Sequence, residues 1–327
     1  METMNKIDLN NYKEIIENYL EQYSLKNFPS NLTDSAHHIM TLDGKRLRPI
    51  MVLMSYMSYD EKYEKALNAA IAIEVFHNFT LVHDDIMDEA KVRRGQVTVH
   101  EKFGVNKAIV TGDAMLPHSY NLLTLGNEDK AADLLAVFSK MAIEVMEGQQ
   151  YDMNFETMDE VTPEEYMEMI RLKTSVLFGA SMEIGGVIGG ASEDDRQKLY
   201  DFGLYTGLAF QIMDDYLDAF GDPKTFGKKV GGDILLNKKT FLLTNAIKMA
   251  TPEQKQQIET LFNETNEASK IEQFKALFTE MNLPQLCLNK MEELHDKALG
   301  RLRSTTISEE NKERLEYLGD VMLRRVK

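Results

Sequence analysis

Six aspartates in two triplets of identical spacing are the residues of this chain best suited to chemistry: Asp84, Asp85 and Asp88 in HDDIMD, and Asp214, Asp215 and Asp218 in MDDYLD. On a helix, side chains three and four positions apart stand about 5–6 Å apart at Cβ, so each triplet converges on one face. Like charges that close repel and raise one another's pKa unless a cation neutralises them. Carboxylate oxygens with no Cys or His among them suit a hard cation, Mg²⁺ above all. Because Mg²⁺ sheds water reluctantly, it takes one or two carboxylates plus the phosphates of a ligand. Two such clusters facing one another would clamp a diphosphate through metal ions. A helix cap is the plainer use of an acidic turn, and it fits Asp194-Asp195 after Ser192. It does not fit six carboxylates on two otherwise apolar helices, which are costly if left unpaired.

Four basic constellations accompany the aspartates. Gly44-Lys45-Arg46-Leu47-Arg48-Pro49 places three cations after a flexible glycine, with Pro49 opening the next helix. Arg93-Arg94-Gly95 follows the first triplet at the end of its helix, where a guanidinium can fork onto phosphate oxygens. Lys173-Thr174 lies within a helix. FGKKVGGDILLNKKT, residues 226–240, holds Lys228, Asp233, Lys238 and Lys239 beyond the second triplet. Taken singly, each basic cluster reads as solvated surface. His77 and His83 read as hydrogen-bonded core histidines, and the glycine pairs at 185–186 and 189–190 as points of close helix packing.

The elements that must position these groups are helical almost throughout. Prolines number seven, and the two-residue alternation of strands is missing over long stretches. Thr162-Pro163-Glu164-Glu165 and Thr251-Pro252-Glu253-Gln254 each put Thr at the N-cap, Pro first and Glu or Gln third. Breaks fall near Gly44, Gly95, Gly126, Gly221 and Pro284. Segments 66–91 and 198–220 are apolar around most of their circumference, as central helices of a bundle are. The expectation is all-α: a single domain, residues 1–327, of ten or more helices around a central apolar cavity.

Bulk composition narrows the function. At 327 residues with 43% hydrophobic content the chain can bury a large core. A net charge of −16 argues against nucleic acid and anionic lipid as partners. The single Cys287 fits a reducing compartment. No apolar leader or membrane span is evident, so a soluble, cytoplasmic protein is expected.

With these motifs in place, the chain resembles the trans (E-type) polyprenyl diphosphate synthases. GKRLRP, LVHDDIMDEAKVRRGQVTVH, KTSVLFGAS, FQIMDDYLD and GKKVGGD with its following Lys-Lys-Thr occur in the family's order from about residue 35 to residue 245. One departure is Asn237, where the family commonly has Gly. The resemblance implies that Asp84, Asp88 and Asp214 ligate three Mg²⁺ ions per active site, with Asp85, Asp215 and Asp218 in the outer shell. Arg93, Lys173, Lys228 and Lys238 would hold an allylic diphosphate (dimethylallyl, geranyl or farnesyl). Lys45, Arg48, His77 and Arg94 would bind isopentenyl diphosphate, and Thr174 and Gln211 would face an allylic cation. Phe79, five residues before Asp84, would act as a floor beneath the growing chain with Thr80 beside it. That pattern implies a geranylgeranyl product ahead of farnesyl and longer chains. A homodimer is also implied.

Three other readings compete. A terpene cyclase shares the bundle and the first triplet, but it carries an Asn/Ser/Glu-type second metal motif and has no use for Lys45, Arg48 and Arg94. A di-iron bundle would use Glu74-x-x-His77 and Glu292-x-x-His295, leaving the aspartates without a role. A regulatory subunit of a partner synthase would be expected to have lost one triplet, and both are intact.

Overall fold

The computed structural model describes residues 9–21, 30–222 and 230–323. Contacts divide the chain into two compact units, the first comprising residues up to 139 with 181–196, the second 140–180 with 197 onward. The first contains α1 (Leu9–Glu21), α2 (Ser30–Met40), α3 (Leu47–Tyr56), α4 (Glu64–Met87), a two-residue-stranded hairpin of β1 (Val92–Arg93) and β2 (Gln96–Val97), α5 (Val99–Phe103) and α6 (Val105–Thr124). The long α7 (Ala131–Thr157) begins in it. The second holds α8 (Pro163–Ile170), a π-helical turn Arg171–Ser175, and most of α10 (Glu193–Phe220). α9 (Val176–Gly189) starts there and ends in the first unit. The chain then continues through α11 (Gly232–Leu235), α12 (Phe241–Met249), α13 (Pro252–Phe262), α14 (Glu267–Glu280), α15 (Leu283–Arg303) and α16 (Glu309–Leu323).

The all-α expectation holds, and its physical basis is visible. α4 is buried on every face, from Ala66 through Ile73 and Phe76 to Val82, as an all-round apolar helix requires. Both Thr-Pro-Glu starts form capping boxes: Thr162 Oγ1 accepts from the Glu165 N–H while Glu165 accepts from the Thr162 N–H, and Thr251 does the same with Gln254. The second-unit core gathers Tyr166, Ile212, Met213, Leu243 and Phe274 with Cys287. The glycines of α9 serve packing, since a Cβ on Gly185 would stand 2.4 Å from the Val52 carbonyl oxygen.

Two local features differ from the helical reading. The Arg93-to-Gln96 segment is a tight hairpin, with Arg94 at φ 51° and Gly95 at φ 76°, the positive pair of a two-residue turn. Helix α3 starts at Leu47, two residues ahead of Pro49, behind Arg46 in the left-handed region at φ 52°.

Candidate active site

Both aspartate triplets lie toward the C-terminal ends of long helices. Asp84 and Asp85 occupy the last turn of α4 and Asp88 caps it. Asp218 stands in the last turn of α10, with Asp214 and Asp215 one turn earlier. Carboxylates are disfavoured near the negative end of a helix dipole, and caps by Asp belong at N-termini. The capping explanation therefore fails on position.

In the first unit the triplet is sorted by burial. Asp85 is fully buried and accepts from Arg93 Nε at 2.7 Å, while Arg93 Nη2 stands 3.5 Å from Asp84. Burial pushes the Asp85 carboxyl up; Arg93 pulls it back and Asp84 adds to the rise. Asp84 is half-buried and Asp88 exposed, so these two present their oxygens outward. The donor set is carboxylate only, and it fits a hard divalent cation. Among the described residues no three His, Cys, Asp or Glu side chains form a metal cage of their own. An ion bound mostly through phosphates needs none.

The basic residues of this unit separate into structural and accessible ones. Arg46 is buried, donating from Nη1 to Glu74 Oε1 at 2.6 Å and from Nη2 to the Met40 and Leu42 carbonyls at 3.0 and 2.6 Å. That pair uses the glutamate a di-iron reading would need. Lys45 is exposed. Arg48 Nη1 lies 3.3 Å from His77 Nε2. A guanidinium can only donate, so Nε2 accepts and the ring proton sits on Nδ1. Arg94 lays its guanidinium over Gly44, where a Cβ would stand 2.8 Å from Nη1. Phe79 is buried, its ring 5.6 Å from Phe76 and 5.0 Å from His83. His83 Nε2 is 3.2 Å from the Ile109 carbonyl and 3.8 Å from Asp113; the ring is hydrogen-bonded as expected, but it is partly exposed and not a core histidine.

Burial, then the positive charges of Arg48, Arg94 and Arg93, hold His77 well below its usual value. The folded protein keeps it neutral, whereas the unfolded chain takes up a proton near pH 6.5. The unfolded state therefore binds more protons at low pH, and this contribution to stability, present above about pH 6.5, is lost as pH falls. In urea titrations the wild-type midpoint should drop more steeply from pH 7 to pH 5 than that of His77→Gln. Parallel curves would show that His77 is not the group responsible.

The second unit assembles the remaining candidates. Lys173 and Thr174 occupy the π turn, in which the Val176 N–H reaches the Arg171 carbonyl five residues back. Such turns recur at functional sites, and here a glycine makes room for one. A Cβ on Gly148 of α7 would stand 2.2 Å from the Lys173 nitrogen. One turn further along α7, Asp152 accepts a hydrogen bond from Lys173 Nζ and lies 4.0 Å from Lys238 Nζ. Burial would raise the Asp152 carboxyl, but Lys238 and Lys173 together hold it below the usual range. Asp152 had no motif to mark it; its position four residues after Gly148 is the only signal the sequence carries.

A pocket open to solvent is lined by Lys173, Thr174, Gln211, Asp215, Lys238 and Asp152, among others. Thr174 Oγ1 donates to Gln211 Oε1 at 3.3 Å, and Gln211 Nε2 donates to Asp215 Oδ1 at 3.3 Å. Asp215 is buried and also accepts from the Tyr166 hydroxyl and, at 2.9 Å, from the Phe241 N–H that opens α12. Burial, then Asp233, pushes its carboxyl up to about 7 against those three donors. Asp214 is half-buried. Asp218 accepts from the Asp233 N–H at 3.0 Å, which ties the following loop to the helix. Asn237 takes φ 52°, the left-handed region that favours Gly and that Asn tolerates better than most residues, so the departure keeps the turn. Lys228 lies outside the described residues.

Comparison with known proteins gives one consistent answer. The family model described as polyprenyl synthetase matches residues 29–281. A geranylgeranyl diphosphate synthase of Saccharolobus solfataricus is 36% identical, over 99% of this chain and all of its own. A crystal structure of a geranylgeranyl pyrophosphate synthase is 44% identical with a TM-score of 0.91, covering 99% of both chains. The polyprenyl synthase of Caulobacter crescentus CB15, solved with calcium and isoprenyl diphosphate, is 27% identical with a TM-score of 0.83 over 97% of each chain.

Proposed function

This chain belongs to the polyprenyl synthetase family and is a prenyltransferase, and we propose that it condenses isopentenyl diphosphate with an allylic diphosphate, head to tail, to give a short all-trans prenyl diphosphate, geranylgeranyl diphosphate foremost. The observation that carries this reading is one pocket lined by Lys173, Lys238 and Lys239, by Thr174 and Gln211, and by Asp215 of the second acidic helix. Cationic amino groups there suit a leaving diphosphate, and neutral dipoles suit the carbon it leaves.

Lys173 and Lys238, with Arg93 and Lys228, are assigned to the allylic diphosphate; Lys45, Arg48, His77 and Arg94 are assigned to isopentenyl diphosphate. Asp84, Asp88 and Asp214 would hold Mg²⁺, three ions in all, which when bound neutralises charge on the departing diphosphate oxygens. The lysines add fixed positive charge where negative charge develops as the allylic C–O bond breaks. Thr174 and Gln211 present oxygen dipoles to the cation without the full negative charge that would capture it. The double bond of isopentenyl diphosphate then attacks C1 of the cation, and a proton leaves to the departed diphosphate.

A homodimer is part of the proposal. The exposed apolar side chains Val105, Ile109 and Val110 on α6 support it, and sedimentation as a monomer would remove it. No described helix is long and apolar enough to cross a membrane, and a cytoplasmic location is proposed on the lone, buried Cys287. Fractionation of cells with the membranes would count against it. The decisive experiment incubates the purified chain with labelled isopentenyl diphosphate, Mg²⁺ and dimethylallyl, geranyl or farnesyl diphosphate, and chromatographs the products. A twenty-carbon product is expected. No incorporation with any starter would overturn the reading, and hydrocarbon from geranylgeranyl diphosphate alone would favour a cyclase.

A further inference from the structure

We propose that Tyr166 is a positioning residue for this condensation, acting through Asp215 and Gln211 on the hydroxyl of Thr174; the proposal rests on the prenyl-transfer reading above. Tyr166 is 2% exposed and Asp215 4%, and the phenol donates to Asp215 Oδ2. The same oxygen takes the Phe241 N–H at 2.9 Å, so one side of the carboxylate is fixed by two donors. Its other oxygen, Oδ1, is left for the Gln211 amide at 3.3 Å.

That contact decides which way Gln211 points. In its ionised form Asp215 accepts and does not donate, so the amide nitrogen faces Oδ1 and the amide oxygen faces Thr174. The Thr174 hydroxyl then spends its only proton on Gln211, 3.3 Å away. A hydroxyl has one proton and two lone pairs, so what remains toward the pocket is the negative end of the dipole. An allylic cation beside Thr174 would meet oriented lone pairs instead of a rotor free to present its proton. Preorientation of this kind lowers a barrier because nothing need reorganise as charge develops.

A phenylalanine at 166 would fill nearly the same volume in the apolar core, so packing alone does not explain the hydroxyl. A lysine or arginine would neutralise Asp215 with a full charge. The phenol anchors Asp215 without supplying a counter-charge.

The test is a double-mutant cycle read in kcat and KM for both diphosphates, with wild-type activity as the control for the underlying function. Y166F should lower kcat roughly tenfold, the scale of one hydrogen bond to a charged group, with both KM values moved less than about twofold. In a Thr174→Ser background, which keeps the hydroxyl, the loss should recur; in Thr174→Val, which removes it, Y166F should cost little more. Equal losses in all three backgrounds would mean the phenol acts independently of Thr174 and would overturn the proposal. So would a change confined to KM. Fluorotyrosines at 166 alter hydroxyl donor strength with little change of shape, and keep the question open should the Phe variant fold poorly. There kcat should follow phenol acidity, and a flat response would refute the relay.

Discussion

Asp84→Ala and Asp214→Ala should each lower turnover by roughly 10²- to 10³-fold, the usual cost of deleting one preorganised electrostatic contact, while helical content and melting temperature stay near wild type. The pairing of those two outcomes is what distinguishes a ligand from a structural acid. Asp84 is half-buried on the last turn of α4, beside the negative end of the helix dipole. Removing its charge relieves an unfavourable interaction, and Arg93 keeps its 2.7 Å contact with Asp85. Asp214 is likewise half-buried, whereas its neighbour Asp215 is 4% exposed and takes the Phe241 N–H and the Tyr166 hydroxyl. Asp215→Ala would therefore leave buried donors unpaired, and its loss of rate could not be separated from its loss of stability. Incorporation of labelled isopentenyl diphosphate gives the rate, and far-ultraviolet dichroism the fold. Rates near wild type in either variant would remove that carboxylate from the metal-binding set.

What the sequence made legible follows the range of the interactions involved. Helix class and starts are local: Thr162 and Thr251 announce their caps within four residues, and the structure forms both boxes. The aspartate triplets are equally local, and their i, i+3 and i+4 spacing survives as a shared helix end. The roles within GKRLRP are not local. Nothing nearby separates Arg46 from Lys45 or Arg48; the distinction is made by Glu74, 28 positions away. A glutamate in the middle of the apolar stretch of α4 was the available hint, since a buried charge needs a partner. The same limit hid Asp152 and Tyr166. Asp152 is one polar residue on the long α7 and Tyr166 one on the short α8, and each matters because of what another segment brings to it. The π turn at Lys173 depends on Gly148, 25 positions earlier, which no periodicity of its own helix encodes. The hairpin at residues 92–97 was too short to show alternation, and its left-handed Arg94 is an uncommon occupant of such a turn.

Glu74→Ala should destabilise the fold by about 3–5 kcal/mol, because it breaks a buried ion pair from one side. The guanidinium of Arg46 and the carboxylate of Glu74 are 2% and 3% exposed, so neither can turn to water when the other is lost. Asn78 adds to the carboxylate's load, donating to Glu74 Oε1 at 3.1 Å and to the Glu74 carbonyl at 2.8 Å. Arg46→Ala should be at least as damaging. It strands Glu74 and also unpairs the Met40 and Leu42 carbonyls, which now receive Nη2 at 3.0 and 2.6 Å. Those two carbonyls close the end of α2 and the loop after it, so the arginine is also the clamp that sets where Lys45 and Arg48 emerge. Glu74→Gln keeps the acceptor oxygen and removes only the charge, and should fall between wild type and the alanine variant. Equilibrium unfolding in urea reads all three. If Glu74→Ala costs less than about 1 kcal/mol, the scale of an exposed salt bridge, the pair is wetter than its geometry implies. The affinity for isopentenyl diphosphate should weaken alongside stability in Arg46→Ala and much less in Glu74→Gln, because only the former releases the basic segment from α2.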